Sequence, residues 1–214
     1  PLTSLQGTLA LAEKGSYGEL NEKGKARFLR AEKTVERLVN LINELLDIEK
    51  LEAGMLTMSL SEELLDPIIE RSIESVSTLA ENKHIKIDAP ATSLNILAEP
   101  DRLVQVFVNL LSNAIKFSPE GSTISITATV LATGVKVIVA DQGRGIPQDV
   151  LATIFDRFQQ VRKEDATAHG GTGLGLTITK AIIEGHGGII GVDSEEGTGT
   201  QCWFLLQKVA FVKP

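Results

Sequence analysis

The stretch HGGTGLGL, residues 169–176, decides how the rest of this sequence is interpreted. Its four glycines leave the backbone free to take positive φ and to come close to a bound group. The residues from Leu174 to Ile182 carry apolar side chains at helical spacing, so the pattern predicts a glycine loop that opens a helix. Because a helix N-terminus presents free amides and the positive end of its dipole, we expect an anion site, most often one for phosphate. The alternative is a plain flexible turn before a helix.

Two common phosphate-binding patterns are absent around this loop. No Gly-Lys-Ser or Gly-Lys-Thr follows it, and it does not follow a strand as a dinucleotide fingerprint does. The groups that complete the site must therefore come from elsewhere in the chain.

Length and composition limit the classes of protein. The 214 residues, 43% hydrophobic, suffice for one domain and a smaller module. A net charge of −7 without a lysine and arginine cluster excludes nucleic acid as the main partner. The single cysteine, Cys202, lies in a strand-like run and is interpreted as a buried thiol in a reducing compartment. No apolar run reaches membrane-spanning length and no signal peptide opens the chain, so we expect a cytoplasmic segment without membrane contact. Whether a longer parent protein is membrane-anchored stays open.

The first quarter of the chain predicts a helical hairpin. Pro1 to Lys14 has apolar residues on one side, and Glu22 to Ala53 repeats them at steps of three and four over a wide face. Two antiparallel helices cannot bury such a face alone, so we expect a second copy and a dimeric four-helix bundle. The alternative is that the long helix packs on its own globular domain.

After Gly54 the composition changes and strands alternate with helices in runs. Asp66-Pro67 predicts a capped helix to about Lys83, and Pro100 begins a helix that runs to about Phe117. The predicted strands are Met55 to Leu60, Ile85 to Ile87, Leu94 to Leu97, Thr123 to Leu131, Val135 to Ala140, Ile189 to Asp193 and Thr200 to Leu206. This order predicts an α+β fold with one mixed sheet that helices cover on one face.

One face of the helix from Pro100 carries polar side chains. Asn109, Asn113 and Lys116 follow one another at steps of four and three. Amide oxygens suit a magnesium ion that also holds phosphate oxygens, and lysine supplies a point charge for phosphate. A solvated polar face is the alternative, which two asparagines in mid-helix make less favourable.

A second polar motif, Asp141-Gln142-Gly143-Arg144-Gly145-Ile146-Pro147, follows an apolar strand directly. A carboxylate there can accept a hydrogen bond from an exocyclic amine such as that of adenine, and the glycines let a flat ring approach the backbone. Taken alone, an aspartate-led turn is the simpler interpretation.

Together these motifs resemble the nucleotide-binding boxes of sensor histidine kinases. The N, G1, F and G2 boxes correspond in order to Asn109–Phe117, Asp141–Gly145, Phe155–Phe158 and Gly171–Leu176, and Gly197–Thr200 resembles the last glycine box. The resemblance implies a dimerisation and phosphotransfer hairpin over residues 1–54 and an ATP-binding catalytic domain over 55–214, a two-layer sandwich of the Bergerat type.

The resemblance also implies roles for individual residues. Asp141 takes the adenine amine, Gly143 and Gly145 lie beside the ring, and Asn113 holds Mg²⁺. Asn109 and Lys116 arrange metal, water and phosphates and are the implied catalytic residues. The complete implied ATP site is Asn109, Asn113, Lys116, Asp141, Gly143, Gly145, Ile146, Phe158, Gly171, Thr172, Gly173, Leu174, Gly175 and Leu176.

The implied lid runs from about Gln159 to Thr172, with Phe155 and Phe158 at its base. Family members often carry a cation just after the second phenylalanine, where this chain has Gln159 and Gln160. The candidates to replace that cation are Arg157, Arg162 and Lys163.

Two further features concern the reaction. Related chaperone, gyrase B and mismatch-repair ATPases usually carry a water-activating glutamate where this chain has Asn109, and an amide cannot take that proton. Pro1-Leu2 resembles the end of the phosphoacceptor pattern His-Glu-Leu-Arg-Thr-Pro-Leu, so we expect the acceptor histidine before Pro1. For His84, His169 and His186 we expect structural roles, and therefore ATP and Mg²⁺ binding without autophosphorylation of this chain.

The implied partners are a second copy of the hairpin and the receiver domain of a response regulator. Two other hypotheses are kept: a non-catalytic ATP-dependent interaction module, and an ATPase or serine kinase of the same fold.

Overall fold

The computed structural model describes residues 7, 8, 11, 16, 18, 21–52, 58–159, 161 and 172–207. The chain divides into two compact units, Pro1–Glu49 and Lys50–Pro214. The expected domain boundary after Gly54 lies in residues 53–57, outside the described part, and stays a prediction. None of the helices in the described part has the length and apolarity that a membrane crossing requires.

The first unit is described mainly by one long helix, α1 (Glu22–Glu52). Asn21 caps it, because its side-chain oxygen accepts the backbone N–H of Gly24 at 2.8 Å. Large apolar side chains along α1 are 38% to 50% exposed, namely Leu29, Leu38, Ile42, Leu45 and Leu46. Of the predicted first helix only residues 7, 8 and 11 are described, and they are helical.

The second unit contains seven strands and four helices within its described residues. The strands are β1 (Ser61–Leu64), β2 (Lys86–Asp88), β3 (Asn95–Ala98), β4 (Thr123–Leu131), β5 (Gly134–Asp141), β6 (Ile189–Glu195) and β7 (Gly199–Leu206). The helices are α2 (Leu65–Asn82), α3 (Pro100–Phe117), α4 (Gln148–Leu151) and α5 (Gly175–Gly185).

The strands form a five-stranded sheet in the order β2-β4-β5-β7-β6 and a separate pair, β1-β3. Strand β2 pairs with β4 in parallel, whereas the remaining pairs are antiparallel. The predicted α+β class with a mixed sheet is therefore confirmed. The separate two-stranded sheet was not predicted.

Alternate residues of the central strands point toward the helices and are buried. Val135, Val137 and Val139 on β5 face the same side as Phe204 and Leu206 on β7. The Phe107 ring of α3 meets the Phe204 ring edge-on at 5.5 Å between centroids, which joins the middle helix to the sheet. Helix α3 therefore lies in the core, and only its polar side is left for a site.

Two predictions about the start of this unit are wrong. The first strand begins at Ser61, and residues 58–60 of the predicted strand Met55 to Leu60 are not in a strand. Asp66 does not cap its helix: its carboxylate accepts the backbone N–H groups of Thr92 and Ser93 at 2.9 Å each, and the helix begins at Leu65, two residues before the predicted first position at Pro67. The Asp66 carboxylate therefore bonds to the loop between β2 and β3 and not to the first turn of its own helix.

Helix α3, which was predicted with the bounds observed, is held at both ends. Pro100 occupies its first turn, where no N–H is needed. At the other end the Lys83 ammonium donates to the carbonyl oxygens of Ile115, Lys116 and Ser118 at 3.0, 2.9 and 3.2 Å. These contacts satisfy carbonyls that lack helical partners and place a cation at the negative end of the helix dipole.

Candidate functional site

The polar side of α3 places Asn109, Asn113 and Lys116 in a row, all half-buried. The apolar side is buried through Val106, Leu110 and Ala114, as the spacing predicted. The ring of Phe117, which was expected to pack there too, is half-buried instead and has two cations at 4.8 Å, the Lys116 ammonium and the Arg144 guanidinium. The last turn of α3 therefore gathers positive charge beside an aromatic ring.

The glycine loop meets this row at Asn109. A Cβ on Gly175 would collide with the Asn109 side chain, with Oδ1 the nearest atom, so glycine lets the start of α5 pack closely on this side chain. The Asn109 amide also donates from Nδ2 to the Thr179 hydroxyl at 2.7 Å, one turn into α5. The start of α5, with its free amides, thus lies against the polar side of α3.

Asp141 ends β5 in the middle of the sheet. Its Oδ1 accepts the backbone N–H of Gly143 at 2.8 Å, and burial raises its pKa while hydrogen bonds from the backbone of Gly143 and Thr200 partly offset that rise. Burial and the nearby Asp141 charge also raise the pKa of Cys202 to about 12, which keeps this neighbour a neutral thiol. Asp141 is therefore a partly desolvated acceptor, suited to an amine donor.

The loop after Asp141 is held by the turn between β6 and β7. Gly145 has φ +70, and a Cβ there would collide with the carbonyl oxygen of Glu195. Ser194 accepts the Ile146 N–H at 2.9 Å, and Gly197 donates its N–H to the Arg144 carbonyl oxygen at 2.7 Å. Close backbone packing explains the glycine at 145, and its expected place beside an adenine ring stays a prediction.

Gly143 joins the same loop to α3. A Cβ there would lie 2.8 Å from the Phe117 carbonyl oxygen and 2.8 Å from Asp141 Oδ1. The Asp141 loop is consequently docked on the last turn of the helix that carries Asn113 and Lys116.

The phenylalanine motif docks on the glycine loop through its backbone. Phe158 donates its N–H to the Gly173 carbonyl oxygen at 2.9 Å, and Thr177 donates its hydroxyl to the Phe155 carbonyl oxygen at 2.9 Å. The Phe158 side chain is 63% exposed and its φ is +60, an uncommon value for a residue other than glycine. The position expected at the base of a lid is thus fixed by main-chain contacts.

The remaining residues of the implied ATP site differ in how far their side chains are exposed to solvent. Leu174 is 1% exposed, so its side chain belongs to the core and it can offer a ligand only its backbone. Thr172 accepts the Leu174 N–H at 3.2 Å, and Leu176 is half-buried. Arg157 is half-buried, whereas Gly171, Arg162 and Lys163 lie outside the described residues.

Two residues of the site were not predicted from the sequence. Thr179 contacts Asn109 across 70 positions of sequence, and Ser194 holds Ile146 across 48. No local pattern marks either hydroxyl. The box Gly197–Thr200 was recognised, but its contact with the Asp141 loop depends on the pairing of β6 with β7.

His84 and His186 are engaged in structural contacts. His186 is 2% exposed, accepts the Glu99 backbone N–H at Nε2 (3.0 Å) and lies with Nδ1 2.7 Å from the Ile182 carbonyl oxygen. Because a carbonyl only accepts, Nδ1 carries the proton. His84 is exposed and pairs with Glu120 at 2.8 Å, and His169 lies outside the described residues.

The donors present fit a magnesium nucleotide. Amide oxygens on α3 suit the metal, and backbone amides at the start of α5 suit the phosphates, together with a nearby lysine. The Asp141 carboxylate can accept a hydrogen bond from the amine of the base. Within the described residues no cluster of three or more histidine, cysteine, aspartate or glutamate side chains could hold a metal by itself. A metal here would therefore rely on amide oxygen together with ligand phosphate and water.

Two protein families match this sequence. Residues 98–210 match the family described as histidine kinase-, DNA gyrase B-, and HSP90-like ATPase. Residues 1–54 match the His Kinase A (phospho-acceptor) domain.

Individual relatives extend this similarity along the chain. The sensor histidine kinase WalK of Bacillus subtilis is 33% identical over 220 residues, 96% of this chain and 34% of WalK. The non-motile and phage-resistance protein of Caulobacter vibrioides is 33% identical over 214 residues, 96% of this chain and 25% of that protein. The chain thus spans about a quarter to a third of the length of these curated relatives.

Solved histidine kinase structures share the fold of this chain. Full-length ShkA in complex with AMPPNP is 30% identical, with a TM-score of 0.78 over 97% of this chain and 44% of ShkA. The histidine kinase AdeS of Acinetobacter baumannii has a TM-score of 0.71 over 97% of this chain and 95% of AdeS, and its 21% identity supports the fold alone.

Proposed function

The chain belongs to the sensor histidine kinases, and we propose that it is the core that transfers the γ-phosphate of ATP to a histidine of the helical hairpin. The observation that carries this proposal is that α3 joins both ends of a nucleotide site. Asn109 contacts Gly175 of the glycine loop, and the Phe117 carbonyl contacts Gly143 of the Asp141 loop. The proposed adenine acceptor, Asp141, and the proposed phosphate loop thus lie at the two ends of the row Asn109, Asn113 and Lys116.

In this proposal Asp141 recognises the exocyclic amine of adenine. The carboxylate is oriented by the Gly143 N–H and is partly buried, where a hydrogen bond to a charged acceptor is strong. The rest of the proposed ATP site is the residue set expected from the sequence, with Leu174 contributing through its backbone.

The phosphates are proposed to bind between α3 and the start of α5. Asn113 would hold Mg²⁺, which when bound neutralises charge on the phosphate oxygens. Lys116 supplies a further positive charge, and free backbone amides at the start of α5 would bind the anion. Asn109 accepts and donates hydrogen bonds but cannot act as a general base, so ATP hydrolysis is expected to be slow.

The lid and its cation remain part of the proposal. The backbone contact between Phe158 and Gly173 provides a fixed base from which the segment between them can close over ATP. Arg157, at this base, is the described candidate for the cation at the γ-phosphate, with Arg162 and Lys163 as the others.

The hairpin is proposed to form a homodimer and to present the phosphohistidine to a response-regulator receiver domain in the cytoplasm. Support for pairing comes from the apolar side chains of α1, of which Leu29 and Leu46 are each 50% exposed in the single chain. A second hairpin would bury this surface.

We place the phosphoacceptor histidine upstream of Pro1. His186 fits that role poorly because its Nε2 lone pair is occupied by the Glu99 N–H and the ring is buried. His84 is held in a turn by its contact with Glu120.

Labelled ATP tests this function. A chain extended upstream through the His-Glu-Leu-Arg-Thr pattern is expected to gain acid-labile, base-stable phosphate, and the 214-residue chain to gain none. Acid-labile phosphate on the shorter chain would contradict the placement of the acceptor. Steady phosphate release without labelled protein would favour an ATPase, and nucleotide binding without either product would favour an interaction module.

A further inference from the structure

The hydroxyl of Thr179 makes two hydrogen bonds at the edge of the proposed phosphate site. It accepts the Asn109 Nδ2–H at 2.7 Å and donates to the Gly175 carbonyl oxygen at 3.0 Å. Thr179 is 1% exposed, so water does not compete for these contacts. The hydroxyl therefore connects the glycine loop to an amide on α3.

The directions of these hydrogen bonds decide which way the amide of Asn109 points. A hydroxyl has one proton, and a carbonyl oxygen can only accept, so the Thr179 proton is used on Gly175. Toward Asn109 the hydroxyl offers a lone pair, which requires the NH₂ group on that side. The amide oxygen is then left to face Gly175.

A flipped amide is disfavoured by its contact with Thr179. It would place its oxygen against the Thr179 oxygen unless the hydroxyl gave up Gly175. Because a Cβ on Gly175 would collide with Asn109 Oδ1, the amide lies directly against the main chain, with little room to tilt. The observed orientation is thus favoured by about one hydrogen bond.

We propose that Thr179 is a positioning residue that holds the Asn109 amide with its oxygen toward the glycine loop. This inference rests on the proposed function, in which metal, its bound water and phosphates lie at that loop. An amide oxygen can coordinate Mg²⁺ or accept a hydrogen bond from metal-bound water, whereas an NH₂ group in its place can only donate a hydrogen bond to phosphate. Thr179 therefore sets how strongly nucleotide binding depends on magnesium.

The first test uses the nucleotide-free protein. The side-chain amide protons of Asn109, assigned with Asn109→Asp, are followed by nuclear magnetic resonance in wild type, Thr179→Val and Thr179→Ser. Thr179→Val is expected to speed their solvent exchange about tenfold, the loss of one hydrogen bond, and Thr179→Ser to keep the slow exchange. Equal exchange in wild type and Thr179→Val would overturn the proposal. If the valine variant does not fold, Thr179→Ala gives the same comparison.

Ser72 provides a matched control. Its buried hydroxyl donates to the Ile68 carbonyl oxygen four residues earlier at 2.7 Å, as that of Thr179 does to Gly175, but it has no side-chain amide as a second partner. Ser72→Ala should leave the Asn109 signals unchanged. A change as large as that in Thr179→Val would mean that the effect is general loss of packing and would overturn the proposal.

The second test measures the affinity of a non-hydrolysable ATP analogue with and without Mg²⁺. Thr179→Val should reduce the affinity gain that Mg²⁺ gives by about three- to tenfold, and Thr179→Ser should restore it. An unchanged gain in Thr179→Val would overturn the inference while leaving the proposed function intact. A wild-type chain that binds no nucleotide would instead contradict the proposed function, and the exchange experiment would still decide the amide orientation.

Discussion

Phe158 donates its backbone N–H to the carbonyl oxygen of Gly173 at 2.9 Å, which brings the phenylalanine motif and the glycine loop side by side. Both residues have positive φ, +60 and +73. Non-glycine residues at such values are commonest where the surrounding structure or function requires them. The pair forms the hinge-like base of the segment that the proposal assigns to an ATP lid.

Replacement of Gly173 by alanine tests this contact. The new Cβ would lie 2.7 Å from the Phe158 carbonyl carbon and 2.8 Å from its Cα. We expect a loss of about 1–2 kcal/mol in the free energy of unfolding from backbone strain and a further loss of about 1–3 kcal/mol from the clash. Urea unfolding measures stability, and titration with an ATP analogue should show weaker binding.

Gly121 is the matched control for that variant. Its φ is +75, close to that of Gly173, but a Cβ there meets nothing within 4 Å. Gly121→Ala should therefore show only the strain and leave nucleotide affinity unchanged. Equal stability losses in the two variants, with unchanged affinity in both, would contradict a functional contact at Gly173.

The buried carboxylate of Asp141 predicts a pH-dependent stability difference. Because burial raises its pKa above the ordinary 3.8, the folded protein binds this proton more tightly than the unfolded chain does. The stabilisation is complete below the ordinary pKa and is lost as pH rises through the raised value. Relative to Asp141→Asn, the wild type should therefore lose free energy of unfolding as the pH rises above the ordinary pKa of 3.8 and through the raised one. Denaturant unfolding of both proteins across that range measures the difference, and parallel pH profiles would refute the prediction.

Lys83 is predicted to stabilise α3 and, with it, the row of site residues. Lys83→Met keeps the aliphatic stem but removes the ammonium from the carbonyl oxygens of Ile115, Lys116 and Ser118. A loss of about 2 kcal/mol in unfolding free energy is expected from the charged hydrogen bonds and the helix dipole.

The control for Lys83 is Lys86, whose side chain is 75% exposed and lies 3.9 Å from Asp88. Lys86→Met should change stability by less than about 0.5 kcal/mol, because exposed ion pairs contribute little. Similar effects of the two substitutions would show that Lys83 does not act through the end of α3.

Much of the fold could be predicted because its signals are local. Helix α3 was placed from Pro100 to Phe117 by a proline suited to a first turn and an uninterrupted apolar spacing. The two central strands were predicted at Thr123 to Leu131 and Val135 to Ala140, and the second extends one residue further at each end, from Gly134 to Asp141. The Asp66 cap was wrong because amides 26 and 27 positions away compete for its carboxylate.

The site was predictable as motifs but not as a set of contacts. The glycines were expected to approach a ligand, yet Gly145 and Gly175 already have close neighbours in the fold, at Glu195 and Asn109. The hydroxyl of Thr179 could not be selected from its surroundings in sequence, because its role depends on the packing of α5 against α3. Long-range packing of this kind has no local periodicity by which a sequence could reveal it.

The most direct measurement is calorimetric titration of the chain with an ATP analogue, with and without Mg²⁺, beside Asp141→Asn. A dissociation constant in the micromolar range that tightens with Mg²⁺ is expected for the wild type. The asparagine variant should bind at least about tenfold more weakly, because it loses a hydrogen bond to a charged acceptor. Equal binding by the two proteins, or no binding by the wild type, would contradict the proposed ATP site.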